Sequence, residues 1–316
     1  MGPNARGALL SLLSFALYAT HDLIVKGLGA TYSPFQIVFF SVLFSFPLVV
    51  VMLIRDSQPG HLRPVHPWWV SVRVFGALGA GLLAFYAFSV LPLAQTYTLL
   101  FAAPILITVL AIPMLGESVG PHRWAAVLIG LLGVIVVLRP GAQELTLGHA
   151  AALGSAFCNA LSSVVVRKIG KEERTVVLLL YPLAGNFILM GLALPFVYVP
   201  MPMLDLGGLG IMALLGFTAS MCVIAAYRFG EAAIVAPMQY SQIIWATFFG
   251  FLLFGESLDR PTISGAGLII LSGLYIVYRE SRGGKSSNTP VLRNRSRGYS
   301  PGSLRTSAIL KRWKSD

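Results

Sequence analysis

The sequence predicts an all-α polytopic membrane protein whose ten transmembrane helices form two inverted five-helix repeats. Of the 316 residues, 56% are hydrophobic and only 11% are charged, whereas soluble domains carry about 25% charged residues. Ten apolar runs are long enough to span a bilayer, which takes about 17–25 residues. Short motifs also recur in the second half of the chain at a nearly constant offset of 139–141 residues.

The ten apolar runs are separated by Gly, Pro and charged residues, which end helices and mark turns. Most connections are short, so consecutive helices are expected to be antiparallel neighbours. The first run resembles a signal peptide, but it leads directly into His21 and Asp22, and we interpret it as an uncleaved transmembrane helix. The predicted helices cover residues 7–28, 34–54, 68–90, 93–115, 122–138, 147–166, 175–198, 207–228, 234–254 and 260–278.

The distribution of Lys and Arg predicts that both termini are cytoplasmic. With the N-terminus placed inside, the cytoplasmic segments hold twenty of these residues, and the external segments hold only Lys26, Arg139 and Arg260. Cytoplasmic loops of membrane proteins carry such an excess of positive charge. We therefore expect a multi-pass protein of the inner cell membrane.

The recurring motifs divide the chain into a first repeat, residues 1–140, and a second repeat, residues 141–280. Because each repeat has five helices, the second enters the membrane from the opposite side. In inverted-repeat transporters the substrate site lies near the bilayer midplane at the repeat interface, and access alternates between the two faces. The matching segments are 25–29 with 166–170, 85–88 with 226–229, 115–118 with 254–257, and 133–139 with 273–279.

Most of the net charge of +11 lies at the C-terminus. From Arg279 onward ten Lys and Arg residues stand against Glu280 and Asp316, a balance of +8. The composition of residues 281–316 predicts a disordered cytoplasmic tail. Its cations would hold it near anionic lipids at about 1 kcal/mol each, and the alternative is a solvated tail with no role. The rest of the chain is nearly neutral, so no nucleic-acid partner is expected.

Two copies of a Gly-Glu-Ser motif carry a resemblance to a known family. They end residues 104–118 in the first half and residues 245–257 in the second half. With the five-plus-five helix pattern, residues 7–280 resemble the EamA branch of the drug/metabolite transporter superfamily. The resemblance implies two inverted bundles around a central cavity. It also implies transport of a small organic metabolite, such as an amino acid or derivative, a nucleoside-like compound, a riboflavin-like vitamin or S-adenosylmethionine.

Three ionisable side chains, His21, Asp22 and Lys26, lie near the end of the first helix. Each charge at bilayer depth costs about 2.5–3.5 kcal/mol, so such residues usually face a bundle interior or a wet cavity. Asp22 and Lys26 are four residues apart and could form an ion pair, or Lys26 could extend to the lipid headgroups. We expect His21 or Asp22 to contact substrate or to take up a coupling proton, since histidine titrates near neutral pH.

Polar aromatic and amide side chains complete the predicted substrate site. Tyr86 and its repeat mate Tyr227 suit a cavity for flat or amphipathic solutes, with an interfacial aromatic belt as the alternative. Gln239 and Gln242 share a helix face, which either lines the cavity or forms interhelical hydrogen bonds. The full predicted set is His21, Asp22, Tyr86, Tyr97, Tyr227, Gln239, Gln242 and Trp245.

Several other patterns are interpreted as structural. Glu117 and Glu256 fall on opposite membrane faces, so they cannot form one catalytic pair, and each is expected to cap the next helix or to pair with nearby Arg123 or Arg260. Glycines are expected to allow close helix packing. They are Gly76, Gly79, Gly81, Gly130, Gly133, Gly265 and Gly267.

The sequence predicts a transporter and not an enzyme. No nucleophile–base–metal constellation is evident, the Cys and His residues lack metal-ligand spacing, and no phosphate-binding Gly-x-x-x-x-Gly-Lys-Ser/Thr motif is present. We therefore predict a secondary carrier that works by alternating access without ATP, metal or cofactor. Its expected partners are a small-molecule substrate and the lipid bilayer, and its oligomeric state is left open. The alternative is a receptor or scaffold that keeps the transporter fold without transporting.

Overall fold

The computed structural model describes residues 3–54, 62–116, 121–139, 144–170, 172–229 and 235–282. These ranges are helical and contain no strand, which confirms the predicted all-α fold class. The predicted tail covers residues 281–316; the last helix continues through residues 281 and 282, and the remainder of the tail and Glu117 lie outside the described residues. The helices are α1 Pro3–Gly29, α2 Pro34–Ile54, α3 Pro67–Val90, α4 Leu93–Leu100, α5 Ala103–Leu115, α6 Pro121–Leu138, α7 Leu147–Ile169, α8 Thr175–Val197, α9 Met203–Phe229, α10 Ser241–Phe254 and α11 Arg260–Arg282, with a 3₁₀ helix, Ala236–Tyr240, before α10.

Within the described residues, these eleven helices correspond to the ten predicted spans. Six spans, including α4 and α5 taken together, are long and apolar enough to cross a bilayer by length and composition. Large apolar side chains such as Phe196, Ile244 and Phe251 are more than two-thirds exposed on the bundle surface. A helix that is apolar on its outward face as well as its packed face is typical of a membrane span. The chain is therefore a multi-pass membrane protein.

The fourth and ninth predicted helices are both broken, which the apolar pattern did not predict. In the fourth span α4 ends at Leu100, and the amide of Ala102 turns back to Leu99 O at 3.1 Å. Pro104 follows, and its ring lacks an N–H and clashes with the carbonyl four residues earlier. In the ninth span the 3₁₀ helix gives way to α10 at Ser241. The two breaks lie about 140 residues apart, so they occupy equivalent positions in the two repeats.

Helix packing follows the inverted repeat. The most extensive contacts pair α3 with α7, α1 with α9 and α6 with α11, and α2 packs against α8. Since α7 is the repeat counterpart of α1, and α9 that of α3, the first two pairs are equivalent to each other. The largest apolar core cluster draws on both repeats, for example through Val25, Phe85, Ala152 and Ile269. The core therefore sits at the repeat interface, where the site is expected.

Consecutive spans run in opposite directions, so each end of the bundle gathers alternate connections. At the end where α1 finishes, here called the Lys26 end, Gln36 exchanges two hydrogen bonds with the backbone of Val199. Tyr32 also donates to Asp205 there at 2.5 Å, and this hydrogen bond raises the pKa of the Tyr32 phenol. At the opposite end the backbone amide of His66 donates to Glu173.

Close packing at glycine is confirmed where α6 crosses α11. A Cβ on Gly265 would lie 2.6 Å from Gly133 O and would collide with the Val137 side chain, and a Cβ on Gly133 would lie 2.8 Å from Gly265 O. A Cβ on Gly267, two residues along α11, would meet nothing within 4 Å. The close approach of the two backbones therefore depends on Gly133 and Gly265, whereas Gly267 does not take part in it.

A Gly265→Ala variant is expected to be destabilised by about 1–3 kcal/mol, because overpacking a close contact forces the backbone to shift. The matched variant Gly267→Ala is expected to be neutral or slightly stabilising, because alanine favours helix over glycine by about 0.5–1 kcal/mol. Thermal unfolding of both purified proteins in detergent checks this difference. Equal melting temperatures would show that α6 and α11 can separate without cost.

Candidate functional site

A buried polar centre on α1 and α4 joins three of the predicted site residues. His21 and Asp22 are 6% and 5% exposed, and Tyr97 is 1% exposed. His21 Nδ1 lies 2.7 Å from Asp22 Oδ1, and the Tyr97 hydroxyl donates to Asp22 Oδ2. The carboxylate is thus held from two sides by groups on different helices. Such a centre can accept a proton or a hydrogen bond from a polar solute.

Aromatic rings surround this centre. The His21 ring lies 6.0 Å from Phe85 of α3, and Tyr97 packs edge-on against Phe88 with ring centroids 5.1 Å apart. Phe101 continues from Tyr97 and meets Tyr240 edge-on, also at 5.1 Å. An apolar aromatic wall with a few convergent polar groups is typical of small-molecule sites.

The two helix breaks meet beside the polar centre. Phe101 belongs to the break in the fourth span, and Tyr240 ends the 3₁₀ helix of the ninth span, so the contact of their rings brings the two breaks together. Gly273 on α11 makes room for the Tyr240 hydroxyl, which a Cβ there would overlap. In transporters with inverted repeats, discontinuous helices usually form the substrate site. The breaks therefore mark the same region as Asp22.

A line of polar groups on α1 attaches the centre to the second repeat. Ser14 Oγ donates to Ala219 O at 2.7 Å, and the Tyr18 and Ser220 hydroxyls lie 2.8 Å apart. Both contacts join α1 to α9. Ser14, Tyr18 and Asp22 follow one another at intervals of four, so they share one face of α1. Movement of one repeat against the other would move this face together with Asp22.

Lys26 is held at the end of α1 by partners from other helices. Its Nζ lies 2.7 Å from Glu256 Oε1 and donates to Leu91 O at 2.7 Å. Glu256 Oε2 also accepts the backbone amide of Leu93, the first residue of α4, at 2.9 Å. We call Lys26, Leu91, Leu93 and Glu256 the latch. It connects the first repeat to the second at the Lys26 end.

The latch corrects two expectations. Lys26 pairs with Glu256 across the repeat interface, whereas the four-residue spacing along α1 suggested Asp22 as its partner. Glu256 pairs with Lys26 and not with nearby Arg260, and its second oxygen accepts the amide at the start of α4 instead of capping the helix that follows Glu256. Both differences have one cause: α10 brings Glu256 against the end of α1, and sequence neighbours do not report such a long-range contact.

The other predicted site residues occupy varied positions. Gln242 is 1% exposed on α10, and Gln239 is half-buried in the 3₁₀ helix. Tyr86 is half-buried against the main apolar core. Trp245 stacks on Phe249 with ring centroids 6.3 Å apart. The side chain of Tyr227 lies outside the described part of the structure.

The structure also buries the charged side chain of Arg73 among the helices. Arg73, one of the twenty Lys and Arg residues that the sequence assigns to the cytoplasmic side, lies within α3 and is 7% exposed. Its Nε donates to Leu178 O at 2.9 Å, and Nη1 donates to Ser162 Oγ at 3.1 Å. Arg73 therefore ties α3 to α7 and α8 near the end opposite Lys26.

Several residues near the polar centre were not among the predicted set. Phe101, Tyr240 and Phe85 form its aromatic wall, and Glu256 closes the latch. Phe101 and Tyr240 each lie three residues from a proline in the sequence, but prolines also occur inside continuous helices, so the sequence held no clear signal for these two rings. The spacing of Ser14, Tyr18 and Asp22 was the signal for the polar face of α1.

Comparison with known proteins agrees with this architecture. A family profile described as "EamA-like transporter family" matches residues 5–139 and 146–278. A riboflavin transporter of Vibrio cholerae is 30% identical over 289 residues, covering 88% of this chain and 94% of that protein. An S-adenosylmethionine uptake transporter of Rickettsia bellii is 23% identical, covering 86% of this chain and 93% of that protein. The pseudopaline exporter CntI of Pseudomonas aeruginosa is 27% identical, covering 84% and 94%.

A solved crystal structure supports the fold. It is 19% identical in sequence, has a TM-score of 0.54, and covers 89% of this chain and 100% of its own. The family profile matches the two halves of the chain separately, and only the short connection between the repeats separates the two matched ranges. Together with the inverted packing, it shows that this chain is a transporter that belongs to the EamA-like family.

Proposed function

We propose that the chain moves a small organic metabolite across the inner membrane by alternating access, with the polar centre of His21, Asp22 and Tyr97 as its site. One observation carries this proposal: a buried carboxylate lies beside the point where two broken helices meet at the repeat interface. A buried ionisable group in a membrane span is by default a functional candidate. The relatives named for S-adenosylmethionine, riboflavin and pseudopaline support a polar organic solute.

The position of the latch indicates from which side of the membrane the solute reaches Asp22. Lys and Arg are in excess at the end of the bundle opposite Lys26, and such an excess marks the cytoplasmic side. We therefore assign the Lys26 end to the cell exterior and both termini to the cytoplasm. Lys26 and Glu256 then close the outer end of the path above Asp22. Four residues of helix separate Lys26 from Asp22, a rise of about 6 Å. In this arrangement the solute reaches Asp22 from outside only when the latch opens.

Further predicted residues fit around this site. Tyr86, Gln239, Gln242 and Trp245 come from α3 and the ninth span, which border the polar centre, and we assign them to solute selection. The two repeats are assigned to residues 1–140 and 141–280. We assign the basic segment 281–316 to the cytoplasmic membrane surface, where anionic lipids attract Lys and Arg.

Flux into proteoliposomes tests the proposed function. Purified protein is first screened for melting-temperature shifts with a metabolite panel, because a bound substrate stabilises the native state by mass action. Solutes that stabilise the protein are then tested as radiolabelled tracers in protein-containing and protein-free vesicles. Saturable uptake confined to the protein-containing vesicles is expected. Tight binding without flux of any stabilising solute would favour a receptor instead.

A further inference from the structure

A separate cavity of about 260 Å³ opens at the Lys26 end. It lies between α4, the end of α6, and the connection from α10 to α11. Its charged and polar lining includes Gln95, Arg139, Thr247, Glu256, Asp259 and Thr262. It is distinct from the polar centre but adjacent to the latch, because Glu256 both lines the cavity and pairs with Lys26.

The cavity carries both signs of charge. Arg139 stands on one side and pairs with Asp259, and Glu256 adds a second carboxylate. The Arg139 and Asp259 side chains are 27% and 41% exposed. Ion pairs as exposed as this contribute only about 0–1 kcal/mol. A ligand that offers a carboxylate and an ammonium could therefore replace the pair at little cost.

Arg139 has further donor capacity. Its Nε is buried and has no hydrogen-bond partner within the described residues. A buried donor without a partner costs about 1–3 kcal/mol. Its backbone is also left-handed, with φ 44°, which is uncommon for a residue other than glycine. Arg139 thus lines the cavity with a guanidinium whose hydrogen-bonding capacity the described residues do not fully satisfy.

We propose that this cavity is an outer recognition site for a zwitterionic solute that carries an α-amino and an α-carboxylate group. The carboxylate binds Arg139, and the ammonium binds Asp259 and Glu256. A simple anion would meet two carboxylates, and a simple cation would meet the guanidinium, so the lining favours a ligand with both charges. The volume suits a small amino acid or the amino-acid portion of a larger metabolite. The inference rests on the proposed function, since it names the solute class of the same carrier.

The shared carboxylate would couple binding to opening. An ammonium bound at Glu256 competes with Lys26 for the same oxygens. A ligand can shift a conformational equilibrium only through different affinities for the two states. Occupancy of the cavity would weaken the latch and favour the open state, so the solute that fits the cavity would also promote its own passage to Asp22.

Binding of three matched probes to the purified full chain tests this inference. The probes are L-alanine, its amide, which is only a cation, and its N-acetyl derivative, which is only an anion. L-alanine alone is expected to bind in calorimetric titration. Arg139→Gln and Asp259→Asn should each weaken binding at least about tenfold, the effect of about 1.4 kcal/mol.

Arg260→Gln and Asp205→Asn are the control variants, because both residues lie at the Lys26 end but neither lines the cavity. Both are expected to bind L-alanine as the wild type does. Equal binding of all three probes, absence of binding by L-alanine, or full binding by Arg139→Gln would each overturn the inference. The titration needs no solute gradient, so it is independent of flux. Flux of another solute without L-alanine binding would overturn this inference alone, whereas binding without any flux would count against the proposed function.

Discussion

An Asp22→Asn variant is expected to fold and to lose about 10- to 100-fold of its solute flux. Asparagine is nearly isosteric, and its amide oxygen can still accept the hydrogen bond from Tyr97, so the local packing should survive. What is removed is the charge. Hydrogen bonds to a charged group contribute about 1.5–3 kcal/mol, and each 1.4 kcal/mol is a factor of ten. Initial rates in proteoliposomes, at matched protein content and melting temperature, measure the loss.

Asp205→Asn is the matched control for this variant. Asp205 also accepts a hydrogen bond from a tyrosine, Tyr32, but it lies at the Lys26 end outside the polar centre. The same substitution there should leave flux unchanged. Wild-type flux in Asp22→Asn would remove the carboxylate from the mechanism.

Solute exchange separates the two roles of Asp22. If Asp22 takes up a coupling proton, the variant should lose accumulation driven by a pH gradient but keep exchange of labelled for unlabelled solute. If the carboxylate binds the solute, both should fall together. Either result supports the polar centre, and the difference assigns its chemistry.

The helix pattern was predictable because lipid imposes a simple rule on the chain. Backbone groups in hydrocarbon must be satisfied within the segment, so each span appears as a long apolar run. The inverted order was predictable from the Gly-Glu-Ser copies and an odd number of helices per repeat. The two breaks were not evident, since Pro47, Pro113, Pro182 and Pro195 also lie inside helices that continue. A proline alone therefore does not mark a break.

The functional site was predictable only in part. Asp22 and His21 stand out because ionisable groups are costly in lipid, and Tyr97 stands out less, since tyrosine is common at membrane interfaces. Their contact depends on how α4 packs against α1, which no local pattern contains. The second repeat has Ser162 and Ser163 at the matching positions. There Ser162 accepts a hydrogen bond from Arg73, so the repeats share a backbone plan but differ in polar chemistry.

Removal of the charge at Glu256 is expected to open the path from the Lys26 end. Lys26 and Glu256 are only 12% and 16% exposed in their side chains, so water screens their attraction less than at a surface pair. Glu256→Gln keeps an oxygen that can accept the Leu93 amide and removes only the ion pair. Loss of a charge-assisted interaction of about 1.5–3 kcal/mol should raise the population of the open latch about 10- to 100-fold. Glu256→Ala removes the Leu93 contact as well and should have a larger effect.

Labelling of a buried cysteine measures this opening. Thr96, next to Tyr97, is fully buried one turn from Leu93, so Thr96→Cys in a background without Cys158 and Cys222 reports access below the latch. In intact cells a membrane-impermeant maleimide should label it faster in Glu256→Gln than in the parent. Glu172→Gln, in an exposed pair with His66 at the opposite end, is the control and should label at the parent rate. If the Glu256 variants label as slowly as the control, the ion pair does not close the path, and the seal must come from the apolar packing of α1 against α3 and α10.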